Sequence, residues 1–494
     1  MKLKQLRIIS WLLVCAFVLG VTPLAWADDA QSSDLADLVR ELQTQMNAMQ
    51  KTINQQNDKI RQLEVQKPQV QVAPSVMPSG SEATSAPMSD YEFNQRLEQS
   101  LGGANKWLKD LKFKGDIRLR YEAFDYTHGP PSTADDSRNR FRYRLRFGLE
   151  KPLMPDMKIG FGLCSGSISG GVNNDPTSTN QTLDGLFNFK PIFIEKVYAS
   201  YSPSWAKTGP VKNFTITGGK FDNPFELGSS DMIWDRDVKP EGAYEKIDFD
   251  LLNTSDIDMS AFVTGGQFIL DEDGLNSGGD AQLWALQAGI NPTFYTPFFD
   301  KPVDWLSAVS YYAYDHYAHS TNFLIDGTTR LSGASATDAR GNPVLGNGTD
   351  LAADHFNTVE VYNELALPLW KPLRLFHDFA INPKDATPEG FPRGQNQAWA
   401  IGAKLNGIVQ KGDWELSYAY KWIGHSAVVG AFNDSDFGDG HSGKRGSVIK
   451  GGYALTDNLT LNGAMYFVND TSAGTAGYLD KETRRFQVDL AYKF

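Results

Sequence analysis

Arginine occupies every second position from Arg138 through Arg140, Arg142 and Arg144 to Arg146, while Phe141, Tyr143, Leu145, Phe147 and Leu149 are apolar. Upstream, Arg118 and Arg120 show the same spacing. A guanidinium holds its proton at any physiological pH and offers a rigid fork of donors to anions. Such a column can bind and screen negative charge, but it supplies neither a nucleophile nor a general base. Along a strand, side chains alternate between faces, so one face carries only arginine and the other only hydrocarbon. A soluble sheet gains nothing from five like charges in a row. Lipid on one face and a water-filled lumen on the other explains the pattern, as in a transmembrane β-barrel.

Other candidate chemistry is sparse. Seven histidines stand at positions 128, 316, 319, 355, 377, 425 and 441. His316 and His319 are three apart at a strand end and point to opposite faces, which disfavours a shared metal. The run Asp434 to Gly440 has the look of a calcium loop. Its third acid and glycine come one place late, however, and Arg445 stands where the closing glutamate is required. Weak calcium binding by acidic outer loops is left open, but no metal and no cofactor are expected. There is no G-x-S-x-G and no P-loop, so the chain is not expected to be an enzyme.

The start of the chain reads as a secretory signal peptide over 1–27. A basic stretch, Met1 to Arg7, precedes an apolar run from Ile8 to Leu24 and then Ala25-Trp26-Ala27, with cleavage expected before Asp28. Beyond it no segment approaches the roughly 20 apolar residues of a spanning helix. Cys164 is the only cysteine past the signal, so no intramolecular disulfide is expected. The net charge is -12, and loss of Lys2, Lys4 and Arg7 leaves three units more. That surplus argues against a nucleic-acid partner.

The elements that position the arginines come next. Within 28–67, Leu35, Leu42, Met49, Gln56 and Leu63 share one heptad position, and Val39, Met46, Ile53 and Ile60 share the other. This spacing predicts an N-terminal α-helical coiled coil. Residues 68–112 read as a Pro/Ser/Ala linker and a short helix. From 113 to 494 the period becomes two, with about sixteen candidate strands and eighteen as the nearest alternative. Short turns alternate with long polar connections, among them 319–355, 425–445 and 470–481. An even strand count brings both ends to the same side, which places the coiled coil in the periplasm. Phe486, Val488, Leu490, Tyr492 and the terminal Phe494 share one face. That ending resembles the insertion signal of bacterial outer-membrane proteins. The expected fold is therefore all-β, an antiparallel barrel preceded by a coiled coil, in the outer membrane of a Gram-negative bacterium.

Several stretches together resemble the putative-porin family of such bacteria. They are Gly115 to Glu122, the arginine strand, Asp175 to Leu183, Gly219 to Phe225, and Ser230 to Asp237 running on to Pro240-Glu241-Gly242. The resemblance covers most of 113–494. It implies a barrel that conducts small hydrophilic solutes or ions, assembled as a homotrimer among outer-membrane lipids. In general porins the third loop folds inward and sets acids against a basic wall. Carried onto this chain, the wall is Arg118, Arg120, Arg138, Arg140, Arg142, Arg144 and Arg146. The facing loop is 222–241, with Asp231, Trp234, Asp235, Asp237 and Glu241. The alternative is a solvated loop, with the arginines paired locally to Asp116 and Glu122. Arg374, Lys404, Lys421, Arg485 and Lys493 share the lumen parity with Asp378, Glu415 and Asp489, so only a mild preference for anions is expected. A second reading makes the barrel an anchor and the coiled coil a tether to the cell wall, with peptidoglycan as partner.

Overall fold

Alternation of apolar and charged residues recurs strand after strand, and in the computed structural model it closes into a ring. The structure describes residues 110–128, 136–167, 175–272, 280–317, 341–342, 356–384, 393–471 and 481–494. The expected signal peptide, the coiled coil and all but the end of the linker segment lie outside the described residues.

The first strands are β1 (Lys112–His128), β2 (Asp136–Met154), β3 (Met157–Ser165), the two-residue β4 (Gln181–Thr182), β5 (Ile192–Tyr201) and β6 (Val211–Lys220). There follow β7 (Glu241–Asn253), β8 (Ile257–Asp271), β9 (Ala281–Phe294), β10 (Val303–Asp315), β11 (Asn357–Pro368) and β12 (Pro372–Ile381). The last are β13 (Gln397–Asn406), β14 (Trp414–Ile423), β15 (Lys444–Ala454), β16 (Leu459–Asp470) and β17 (Lys481–Lys493). β3 pairs directly with β5, and β4 lies beside β2 beyond the end of β3. β17 pairs antiparallel with β1 from Asp116 opposite Lys493 to His128 opposite Lys481, which closes the sheet. Leaving β4 aside, sixteen strands form the ring, each antiparallel to its neighbours. All sixteen expected strands are present, with ends displaced by a few residues. β4 is the addition.

The two faces differ as the pleat requires. Ile117, Leu119, Phe141, Leu145, Trp284, Leu286 and Ile401 lie exposed on the outside. Asp116, Arg120, Glu122, Gln287, Asp378 and Gln487 are buried on the inside. The inner face itself divides in two. Along β1, β2 and β17 it is charged, whereas from β9 to β14 it carries Leu283, Ala285, Tyr312, Tyr362, Ala380, Ala398 and Ala400, all buried.

Two long connections fold onto that apolar half. Residues 221–240 bring Phe225, Met232, Ile233, Trp234 and Val238 into one buried cluster with Tyr312 and Phe376. Residues 424–443 add Ala427, Val428, Val429, Phe432 and Phe437 to it. The second segment, expected as a polar outer loop over 425–445, instead runs inside the ring. Its apolar side chains find a seat there, and full burial of each large one contributes about 1.5–3 kcal/mol. Gly228 shows how close the approach is. With φ at +53°, its hypothetical Cβ would lie 1.7 Å from the Tyr362 hydroxyl. Any side chain there would push the loop off the wall.

Candidate functional site

The arginines of β1 and β2 meet across one hairpin register. Arg118 stands opposite Arg144 and Arg120 opposite Arg142, flanked by Asp116 opposite Arg146 and Glu122 opposite Arg140. Like charges face each other at the centre, with an acid closing each end. Arg144 pairs with Asp116 at 2.8 Å and Arg146 with the same carboxylate at 2.6 Å. Arg140 pairs with Glu122, which also lies 3.2 Å from Arg120 and 3.8 Å from Arg142. Arg138 lies exposed toward the long-loop end, apart from this group.

Opposing acids come from three further places. Asp237, on the loop 221–240, reaches Arg146 at 3.1 Å and Arg144 at 3.9 Å. Asp489 of β17 lies 2.7 Å from Arg120 and 3.7 Å from Arg118. Asp436, on the segment 424–443, bridges Arg120 at 3.1 Å and Arg485 at 2.8 Å. With Glu195 at 3.8 Å from Arg146, the six arginines of β1 and β2 draw on six carboxylates, of which Asp436 is shared with Arg485. The side chains from Arg118 to Arg146 are accordingly covered more than a freely hydrated column would be.

Not every expected loop acid faces the wall. Asp231 pairs with Arg236 at 3.0 Å and Lys450 at 3.4 Å. Asp235 touches no guanidinium of the wall. Its carboxylate accepts backbone N–H groups of Asp237 and Ser435, each at 2.8 Å. Glu241 opens β7, is exposed, and pairs with Lys220. A strand position next to Lys220 satisfies it locally, which takes it away from the arginines. Trp234 is buried between Tyr312 and Phe432, at ring separations of 5.4 and 5.7 Å. It anchors the loop and does not line open space. The local pairing with Asp116 and Glu122 and the inward loop thus occur together.

Three elements of this arrangement were not read from the sequence. Asp434 and Asp436 belong to the run with the look of a calcium loop, but Lys421 holds Asp434 at 3.0 Å and the two arginines hold Asp436. Asp439 of the same run pairs with Arg485. The third element is the segment 175–182, where Thr177 to Gln181 are buried against the wall. Asn180 accepts from Arg118 at 2.6 Å and, through its carbonyl, from Arg142 at 3.1 Å. Thr179 donates to Asp237 from its N–H and its hydroxyl. The alternating acids of Asp434-Ser435-Asp436 carried a signal for cations, although lysine and arginine supply them in place of calcium.

The electrostatics of the loop acids follow from these neighbours. Burial raises the proton affinity of Asp237, but Arg144, Arg146 and Arg118 outweigh it and hold the carboxyl below the usual range. Asp436 is likewise held low, its burial offset by Arg120 and Arg485. Asp235 moves the other way. Burial, with Asp237 and Asp434 beside it, pushes its carboxyl well above the usual range. Between loops and wall there remains a cavity of about 500 Å³, lined by Arg118, Arg144, Asp237, Asp436 and Lys450 among others. The described residues contain no group of three or more His, Cys, Asp or Glu placed to hold a metal.

A family model described as a putative porin matches residues 124–353 and 353–494. The chain belongs to the putative-porin family. No curated protein matches its sequence. Among solved structures it is similar to OprB of Pseudomonas putida at high pH, with 13% identity and a TM-score of 0.44 over 80% of this chain and 97% of that one. The outer-membrane channel DcaP of Acinetobacter baumannii gives 12% identity and a TM-score of 0.40, covering 78% of this chain and 97% of its own. OmpF of Salmonella typhi gives 10% and 0.38 over the same shares. Likeness this remote carries no argument about what a channel passes.

Proposed function

We propose that the chain forms a water-filled pore in the outer membrane of a Gram-negative bacterium and passes small hydrophilic solutes and ions by passive diffusion. The observation that carries this reading is the closed ring of sixteen strands, apolar outward and charged inward along β1, β2 and β17. A ring of that size encloses an aqueous channel, whereas about eight strands would be filled by their own side chains. Lipid covers the outer face, and the barrel assembles as a homotrimer in keeping with its family. The narrow part lies where Arg118, Arg120, Arg142 and Arg144 face Asp237 and Asp436, with Arg140 and Arg146 completing the wall and Arg138 at the mouth.

Six carboxylates on six arginines, with Arg485 and Asp439 as one further pair beside them, leave little net charge, so selectivity is mild. It leans toward anions, because Arg118 and Arg142 make their close contacts with the neutral Asn180 and reach carboxylates only at 3.7 and 3.8 Å. Single-channel recording in a salt gradient tests the whole reading. Discrete conductance with a slightly anion-selective reversal potential is expected, and a protein that inserts without conducting would sink it. Arg142→Glu combined with Arg144→Glu should turn the reversal potential toward cations.

The heptads of 28–67 favour a second role as a tether reaching through the periplasm to peptidoglycan. Within that range a helix over 34–67, about 34 residues, extends roughly 50 Å at about 1.5 Å per residue. Deleting 28–90 separates the two roles. Conductance should persist while envelope attachment fails, and an envelope that stays attached removes the tether.

A further inference from the structure

The inward segment 424–443 is anchored at two places. Residues 425–427 are fastened beside the wall. The N–H of His425 donates to Gln395 Oε1 at 3.1 Å, and that of Ser426 to the Gln395 carbonyl at 2.8 Å. Asn382 donates to the Ser426 carbonyl and Thr358 of β11 to the Ala427 carbonyl, each at 3.0 Å. Further on, Lys421 holds Asp434, while Arg120 and Arg485 hold Asp436. Between these anchorages lie residues 428–431. Among the described residues, the hydrogen bonds that reach them from outside the segment come from one side chain, Asn342.

Asn342 belongs to the long connection between β10 and β11 and is completely buried. Its Nδ2 donates to the carbonyls of His425 and Val428, each at 2.8 Å, with Ser442 Oγ at 3.2 Å. Its Oδ1 accepts from the N–H of Gly430 at 2.8 Å. A side-chain amide carries both donors and an acceptor, and here both ends are used. A carboxylate would face two carbonyls with no proton to offer. An alkyl group would leave the Val428 carbonyl and the Gly430 N–H unpaired, which buried backbone seldom tolerates. Gly341 is fitted to the same notch. Its carbonyl accepts from Nδ1 of His425 at 2.7 Å. With φ at +85°, its hypothetical Cβ would lie 2.4 Å from the Ser442 carbonyl oxygen.

What Asn342 holds leads directly to the charged wall. The Phe432 carbonyl, just past Gly430, accepts from the N–H of Asp235 at 2.7 Å. The N–H of Ser435 donates to the Asp235 carboxylate at 2.8 Å, and Asp436 follows with its two arginines. A displacement at Gly430 is therefore passed along a short, hydrogen-bonded stretch to the acid beside the cavity. Closely packed segments transmit such shifts because they have few voids to absorb them.

We infer that Asn342 is a positioning residue of the constriction. Its amide fixes where residues 428–431 lie, and through them where Asp436 meets Arg120 and Arg485. The inference rests on the reading of the barrel as a pore and makes the connection between β10 and β11 a determinant of its ion preference. Reversal potentials of Asn342→Leu, in the full chain in planar bilayers under a salt gradient, test it. Withdrawal of Asp436 uncovers arginine charge, so the potential should move toward anions, the direction expected of Asp436→Asn. In a chain already carrying Asp436→Asn, adding Asn342→Leu should move it no further. A part in stability alone would lower the unfolding temperature of both chains and leave the potential where it was. An Asn342→Leu channel with the wild-type potential overturns the proposal, and so do two shifts that add in full, as independent sites do. Should Asn342→Leu fail to insert, Gly341→Ala presses the same dipeptide away from Ser442, with the same shift and the same lack of addition expected. A wild type without conductance would sink the pore itself, whereas conductance with an unmoved potential sinks only the part given to Asn342.

Discussion

Arg120 and Asp489 lie 369 residues apart in sequence and meet in a two-pronged ion pair. Nε and Nη2 of the arginine each donate to a different carboxylate oxygen at 2.7 Å. The pair sits across the seam where the last strand closes on the first, with Arg120 opposite Asp489 in the ladder. Planar geometry of this kind is the strong form of a charge-assisted contact.

Asp489→Ala should weaken that seam. Both side chains are largely covered, and removing one partner of a buried pair costs about 3–5 kcal/mol because the other charge stays behind. Arg120 keeps Glu122 and Asp436, which places the expected loss toward the lower end. The temperature at which the folded barrel changes its gel mobility should fall. An unchanged temperature would mean that the seam is held by the backbone ladder alone.

Much of this architecture is legible in the sequence because a strand announces itself through its period. Arginine at 138 to 146 fixes which face is wet, and the same alternation located all sixteen strands of the ring. The site was only half legible. Asp116, Glu122 and Asp237 are near the arginines in parity or along a recognisable loop, but Asp436 is 316 residues from Arg120. No period connects them. Residues 424–443 read as polar, yet their Ala427, Val428, Val429 and Phe432 are what carry the segment inward. Glu241 shows the converse error, a carboxylate grouped with the loop whose strand partner, Lys220, claims it first.

Asp436→Asn should shift ion preference in the direction opposite to the arginine reversals. The substitution leaves Arg120 and Arg485 with less compensating charge beside the cavity. Reversal potentials in a salt gradient should move further toward anions, by a margin that shrinks as salt rises through screening. If the potential stays where it was, the segment 424–443 does not border the conducting path.

Trp234→Ala should loosen the inward loop. The indole packs against Tyr312 and Phe432, and Trp→Ala in a core costs about 3–5 kcal/mol. The loop is also tied to the wall elsewhere, by Ser230 to Asp378 and by the Gln287 side chain to the Phe225 carbonyl at 3.0 Å. Partial release is therefore expected, seen as a larger and noisier single-channel conductance. A quiet channel of wild-type size would show that the remaining ties suffice.

Acid and alkali should loosen the loops for different reasons. Asp237 and Asp436 bind protons less readily folded than unfolded, so their contribution is present above the unfolded value of about 3.9. It is lost as pH falls through their folded values. Asp235 has the opposite sign. With burial and the carboxylates of Asp237 and Asp434 around it, the neutral form is favoured, and stability is lost as pH rises through its raised value. Asp235→Asn keeps an acceptor for the Ser435 N–H and removes the charge. Unfolding midpoints should therefore match wild type at acid pH and exceed it increasingly toward alkaline pH. A variant that parallels wild type across the whole range would show that Asp235 ionises freely where it sits.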